Sequence, residues 1–180
     1  MKSQIPVSKS TSRSGYTLIE LMAGVAISGF VLAGTAGVTV YSAESMAALG
    51  NYDDLNHASR NALDTMTESI RQAGGMTYFA TNQLIFTNLD GSALSFTYQP
   101  VGGMLRYTNG GNSRVLLSNI ESLSFTISQR NPSNSFTFYP ANGASQAKMV
   151  AVNWKCSKPL FFQKLINTES LQTANIIVRN

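Results

Sequence analysis

The stretch from Leu18 to Val40 constrains this chain more than any other part of it. Its residues are apolar or small with few exceptions, and its only charge is Glu20. As a helix rising 1.5 Å per residue it would be about 35 Å long, enough to cross a hydrocarbon layer of about 30 Å. Lys2, Lys9 and Arg13 precede it, which favours a cytoplasmic N-terminus and a remainder outside. The sequence therefore predicts one membrane-spanning helix.

Composition excludes several classes of protein and of site. The 180 residues suggest one compact domain with an appended segment, and the net charge of +4 would fall to +1 if residues 1–15 were removed. Most of the net positive charge therefore comes from residues 1–15, and it does not indicate a nucleic-acid-binding protein. Cys156 and His57 are the only residues of their types, which excludes an internal disulfide and a Cys-rich or multi-His metal site. Oxygen-ligand sites for hard cations stay open.

The carboxylate of Glu20 is unexpected in a plain membrane anchor. A charge at the centre of a membrane helix costs about 3 kcal/mol and usually has a partner or a function, although near the helix end it can reach the headgroups. Cleavage after Gly15 would create an α-amino group at Tyr16, four residues before Glu20. On a neighbouring copy, that amine could neutralise the carboxylate and fix the axial register of packed helices. The alternative is a plain single-pass anchor.

Small residues on the same helix favour packing against other helices, because they let backbones approach closely in lipid. They are Gly24, Gly29, Gly34, Gly37, Ala23, Ala26, Ala33 and Ala36. No Ala-x-Ala-like site follows the apolar run, so an ordinary secretory signal fits poorly.

The segment GYTLIELM, residues 15–22, resembles the class III signal of type IV pilins and type II secretion pseudopilins. The resemblance implies that a prepilin peptidase cuts between Gly15 and Tyr16 and methylates the amine of Tyr16. It also implies that Glu20 is the assembly residue. Tyr16 departs from the phenylalanine usual in the family. The kinking proline of many major pilins is absent too, since no proline lies between Pro6 and Pro100.

Membership of this family would give the chain a location and a set of partners. The precursor would lie in the bacterial inner membrane with a periplasmic head, and would later enter a pilus or pseudopilus. Its partners would be other minor and major pilins or pseudopilins, the prepilin peptidase, and the inner-membrane assembly platform with its ATPase. No cofactor and no enzymatic activity are expected, because the sequence offers no convincing acid–base pair, nucleophile with a base, or phosphate-binding loop.

The residues after Val40 predict a continuation of the same helix. Residues 41–72 contain no proline, and apolar side chains recur at steps of three and four residues. The predicted stripe is Leu55, Ala58, Ala62, Met66 and Ile70. Gly74 and Gly75 end the pattern as a helix C-cap would.

The remainder predicts an antiparallel β-sheet that covers the stripe, and so an α+β fold. Alternating segments such as ALSFTYQ and SLSFTISQ indicate strands, as do SFTFY, KMVAVNWKC and a last ANIIVRN. Hairpins are predicted at Asp90-Gly91, at Gly102-Gly103 and at residues 109–112. The predicted parts are a leader (1–15), an apolar helix (16–40), an amphipathic helix (41–75) and a β-rich head (76–180).

Three segments of the head resemble the minor pilin and pseudopilin subgroup labelled PilW or PulJ. They are MTESIRQAGG (66–75), RVLLSNIESLSFTI (114–127) and NIIVRN (175–180). This resemblance implies a place in a priming or tip complex rather than in the bulk of a filament.

Candidate chemical sites in the head are few. Asp53-Asp54 is the only adjacent acidic pair, and it is expected on the exposed side of the helix. His57 could form a dyad only if the fold brought Cys156 close. Lys148, Lys155, Lys158 and Lys164 could form a weak DNA-binding patch, although a solvated strand face is the favoured interpretation of these lysines. A membrane-tethered module that binds DNA or a surface, and does not polymerise, is therefore the alternative to a structural subunit.

Overall fold

The computed structural model describes residues 15–131, 137–159 and 169–178. The chain divides into two compact units, Met1–Ala43 and Glu44–Asn180. One helix, α1 (Leu18–Gln72), contributes residues to both. The units are described in turn.

In the first unit, α1 is a regular helix whose side chains are exposed along its length. The helix is long and apolar enough to cross a membrane, judged by its length and composition. Its polar side chains bond to its own backbone: Ser28 Oγ donates to the Gly24 carbonyl at 2.7 Å, and Thr39 Oγ1 to the Thr35 carbonyl at 2.8 Å. Such bonds satisfy these hydroxyls without water, as a lipid environment requires.

In the second unit, one face of α1 is buried. Its buried residues are Ala48, Leu55, Ser59, Ala62, Met66 and Ile70. The predicted stripe is thus correct except at Ala58, which is exposed. Ser59 takes the buried place because steps of four, three and four residues from Leu55 follow the helical period of 3.6.

Gly74 and Gly75 do not cap the helix, and that prediction was wrong. Strand β1 (Ala73–Ala80) begins directly after Gln72 and contains both glycines. Neither has the positive φ of a left-handed cap. A Cβ on Gly74 would lie 3.2 Å from the carbonyl oxygen of Thr87 on the next strand. Close approach of the two strands therefore explains this glycine.

The first sheet is an antiparallel meander of five strands in the order β1-β2-β3-β4-β5. After β1 come β2 (Gln83–Asn88), β3 (Ala93–Gln99), β4 (Met104–Asn109) and β5 (Asn112–Leu117). The three predicted hairpins are confirmed, since they connect β2 to β3, β3 to β4 and β4 to β5.

The second sheet has four antiparallel strands in the order β7-β6-β8-β9. They are β6 (Ile120–Arg130), β7 (Phe138–Pro140), β8 (Met149–Ser157) and β9 (Glu169–Ile177). The predicted strands are thus divided between two sheets, and Asn119, with a φ of 60°, lies between β5 and β6, where the chain passes from the first sheet to the second. Strand β9 begins before the predicted ANIIVRN segment. The residues of SFTFY before Thr137 lie outside the described residues.

Backbone hydrogen bonds join the two sheets. The N–H of Ile120 donates to the Gly103 carbonyl at 2.9 Å, and the N–H of Phe125 donates to the Thr81 carbonyl at 2.9 Å. Gly103 has a φ of 57°, and a Cβ there would lie 2.6 Å from the Ile120 carbonyl oxygen, so a side chain at this position would clash.

One hydrophobic core unites the buried face of α1 with both sheets. Its largest fully buried side chains include Trp154, Phe86, Phe96 and Phe125. The arrangement is one long helix packed against antiparallel β-sheets, which confirms the predicted α+β fold and is consistent with a pilin fold.

Candidate functional site

The helix start at Thr17 and Glu20 forms a reciprocal set of hydrogen bonds. Glu20 Oε2 accepts from the backbone N–H of Thr17 at 2.9 Å and from Thr17 Oγ1 at 3.0 Å. The backbone N–H of Glu20 donates to Thr17 Oγ1 at 3.3 Å. Thr17 is the residue before the helix and Glu20 is its third residue, so the two form a capping box.

The capping box gives the Glu20 carboxylate a partner within its own chain. Within the described part of the chain, all hydrogen bonds of this carboxylate go to Oε2, and Oε1 accepts none. The box also satisfies two of the N–H groups that a helix start leaves unbonded, which matters most where water is scarce. Glu20 can therefore cap its own helix and still present one oxygen to another molecule.

Thr17 is the residue of this helix start that the resemblance alone did not single out. Its signal was present in the sequence as Thr-x-x-Glu directly before an apolar run, the pattern of a capping box. Farther along the helix, Gly24 and Ser28 follow Glu20 at steps of four residues, and the three residues line one shallow hollow with Tyr16. Small side chains thus lie directly beside the carboxylate.

The acidic pair and the histidine of α1 are exposed, as expected. Asp53 and Asp54 expose about seven tenths of their side chains, and so does His57. His57 Nε2 lies 3.4 Å from Asp53 Oδ1, one helical turn away. Within the described ranges, no group of three His, Cys, Asp or Glu residues is placed to hold a metal ion.

Cys156 is fully buried on β8, whereas His57 is exposed, so the two do not share an environment. Ser59 from α1 is also fully buried and accepts a hydrogen bond from Trp154 Nε1 at 3.3 Å. Burial raises the pKa of the Cys156 thiol, and a hydrogen bond with Ser59 opposes this rise. Ser59 therefore forms hydrogen bonds with two residues of β8, Trp154 and Cys156. Cys156 itself is a residue of the hydrophobic core.

We expect Cys156 to resist alkylation in the folded protein. A free cysteine has a pKa near 8.5, and a raised pKa leaves less thiolate at pH 8, while burial blocks the reagent. Iodoacetamide at pH 8 should label the native protein at least ten times more slowly than the protein unfolded in guanidinium. Mass spectrometry of the cysteine-containing peptide measures both rates, and equal rates would contradict the buried position. The rise of labelling with pH should begin above that of a free thiol.

Two of the predicted patch lysines are held in ion pairs. Lys155 Nζ lies 2.9 Å from Glu169 Oε2 and 3.3 Å from Glu121 Oε2, and these hydrogen bonds, first that of Glu169, raise the pKa of Lys155. Lys158 Nζ lies 3.0 Å from Asp54 Oδ2. Lys148 is half-buried just before β8, and Lys164 lies outside the described residues. The DNA-binding patch stays a prediction, and its charge is partly compensated.

Comparison with known proteins identifies the helix start. Residues 10–36 match the family model described as a prokaryotic N-terminal methylation motif. This is a prepilin-type motif, and it supports a class III signal like that of type IV pilins and a precursor of the pilin or pseudopilin type. The chain has no significant match among curated proteins or among solved structures.

Proposed function

We propose that this chain is a structural subunit of a type IV pilus or a related filament. The observation that carries the proposal is the methylation motif at residues 10–36, which contains both the glycine-tyrosine junction and Glu20. Prepilin peptidase would cut between Gly15 and Tyr16 and methylate the new amine of Tyr16. An inner-membrane assembly platform and its ATPase would then move the subunit from the membrane into the filament.

Glu20 is proposed to guide this assembly. Before assembly, the capping box would hold the carboxylate through Oε2, and the distances of 2.9 and 3.0 Å to Thr17 support this. During assembly, Oε1 would accept the N-terminal amine of an adjacent subunit. The box uses the amide N–H of Thr17, which cleavage after Gly15 leaves intact. The carboxylate is therefore oriented both before and after processing.

We further propose a minor rather than a bulk role, within a priming or tip complex of other minor pilins or pseudopilins. The three head segments that resemble the PilW and PulJ subgroup support this. They correspond to the end of α1 with the start of β1, to β5 with β6, and to the end of β9. The head would lie in the periplasm before assembly. Which co-assembled pilins are recovered with the chain would test this role directly.

The test of the proposal is the mass of the mature N-terminus. We expect a mature chain that begins at Tyr16 and carries one added methyl group on its amine. Gly15→Val should block the cut and leave the full precursor in the membrane, while Ser14→Ala, one residue away, should be processed normally. A mature chain that begins elsewhere, or an unmethylated Tyr16, would contradict the proposal.

A further inference from the structure

The β4–β5 hairpin has a polar hollow at the edge of the first sheet. The hollow holds about 270 Å³ and is lined by Tyr107, Asn109, Asn112, Ser113 and Arg114. Tyr107 is paired with Arg114 across the two strands, and Asn109 with Asn112, so these four side chains share one face of the hairpin.

The floor of this hollow is fixed by a chain of hydrogen bonds. The hydroxyl of Tyr107 accepts from Ser69 Oγ on α1 at 3.3 Å and from Asn109 Nδ2 at 3.2 Å. Asn109 Oδ1 in turn accepts from Asn88 Nδ2 at 2.7 Å. Both ends of the Asn109 amide are thus engaged, and the tyrosine ring is held between helix and sheet.

The guanidinium of Arg114 lies over the Tyr107 ring, and no carboxylate among the described residues pairs with its positive charge. Its guanidinium carbon lies 5.2 Å from the centre of the Tyr107 ring, within the range of a cation–π contact. Among the residues that the structure describes, none of the ion pairs involves Arg114. The stacked guanidinium keeps its N–H donors available, and a guanidinium binds a carboxylate, as it does a phosphate, in a two-pronged geometry.

The strand that carries Arg114 is an edge strand. β5 ends the sheet order, and its residues Asn112 to Val115 are exposed. An extended peptide can add to such an edge through backbone hydrogen bonds, and its alternate side chains then face those of the edge strand. A second copy of β5 is disfavoured here, because antiparallel pairing centred on Arg114 would place two guanidinium groups directly opposite each other.

We propose that the β5 edge and the Arg114 hollow form a docking site for an acidic extended segment of a partner protein, with one Asp or Glu side chain opposite Arg114. This inference does not depend on the assembly role of Glu20, since it uses only residues of the head and of the helix beside it. The partner is defined by an alternating strand sequence with a carboxylate on the face towards the hollow.

The test uses the full-length protein in detergent micelles and a fluorescein-labelled eight-residue peptide of alternating Thr and Val with one central Glu. A matched peptide carries Gln in place of Glu. We expect the Glu peptide to bind, and Arg114→Gln to weaken its binding roughly three- to five-fold, the upper part of the range of an exposed ion pair. Arg114→Glu should weaken binding of the Glu peptide more than Arg114→Gln does. The Arg114→Glu variant should instead bind a peptide with a central Lys more tightly than the Glu peptide. Arg71→Gln, the same charge change on α1, should have no effect.

Three results with the peptides themselves would overturn the proposal, and a fourth comes from a competing sugar. They are equal binding of the Glu and Gln peptides, an Arg114→Gln variant that binds like the unchanged protein, and bound peptide that leaves the β5 backbone amides unprotected in hydrogen exchange. Galacturonate serves as a carboxylated sugar probe. If it displaced the peptide at the peptide's own concentration, the hollow would bind free acidic sugars and the strand-docking proposal would fail.

Discussion

Glu20→Ala is expected to leave cleavage after Gly15 unchanged and to lower incorporation into filaments at least ten-fold. Removing one partner of a buried ion pair leaves the other charge uncompensated, at a cost of about 3–5 kcal/mol. The residues at the proposed cut, Gly15 and Tyr16, are unchanged in this variant, so we expect normal processing. Sheared filaments and membranes, compared by quantitative immunoblot, measure incorporation, and mass spectrometry measures the cut.

Glu20→Gln separates the two tasks of this side chain. The amide oxygen of Gln can still accept from the N–H of Thr17, so the helix cap is retained, but the negative charge is lost. If charge pairing guides assembly, Glu20→Gln should fail as Glu20→Ala does. Glu44→Ala is the matched control, since Glu44 is the next charge along α1 and is exposed. Normal incorporation of Glu20→Gln would show that capping, not charge, is what filaments require.

The second large effect is expected at Trp154. Its side chain is 1% exposed and donates to the buried Ser59 hydroxyl at 3.3 Å. Trp154→Ala should lower the free energy of unfolding by about 3–5 kcal/mol, the usual cost of truncating a buried aromatic residue. The melting temperature, followed by circular dichroism of the full chain in detergent, should fall by roughly 10 °C or more.

Three further substitutions test the physical reason for this loss of stability. Phe138→Ala truncates an aromatic residue that is 41% exposed on β7, and should cost less than about 1 kcal/mol. Ser59→Ala leaves the indole N–H without its acceptor, and should cost about 1–3 kcal/mol. Combined with Trp154→Phe, which removes the donor, Ser59→Ala should cost less than it does alone. Strict additivity of the two changes would rule out the hydrogen bond as the link between them.

The sequence predicted the elements better than their details. The long helix and the three hairpins followed from hydrophobic period and turn glycines, which are local properties. The burial of Ser59 in place of Ala58 could not be predicted in this way. Serine is counted as a polar residue, and the buried hydrogen-bond donor that faces Ser59, the Trp154 indole, is known only from the folded structure. Gly74 was assigned to a cap for a similar reason, since its requirement comes from Thr87 on a strand that pairs with it only in the folded chain.

At the helix start, too, the sequence predicted a general requirement but not the contact that meets it. Period and charge predicted that Glu20 needed a partner, and the partner was sought on another chain. The structure adds a nearer partner, Thr17, three residues away. The division of the strands into two sheets was also not predicted, because alternating hydrophobicity indicates where strands lie but not which strands pair with each other.

The backbone bonds between the sheets have a consequence for cooperativity. The donors are Ile120 and Phe125 of β6, and the acceptors are Gly103 and Thr81 in turns of the first sheet. Opening either sheet alone would break these bonds and leave the backbone N–H groups of the buried residues Ile120 and Phe125 without their acceptors. We therefore expect the two sheets, which also share one hydrophobic core, to unfold together in a single transition.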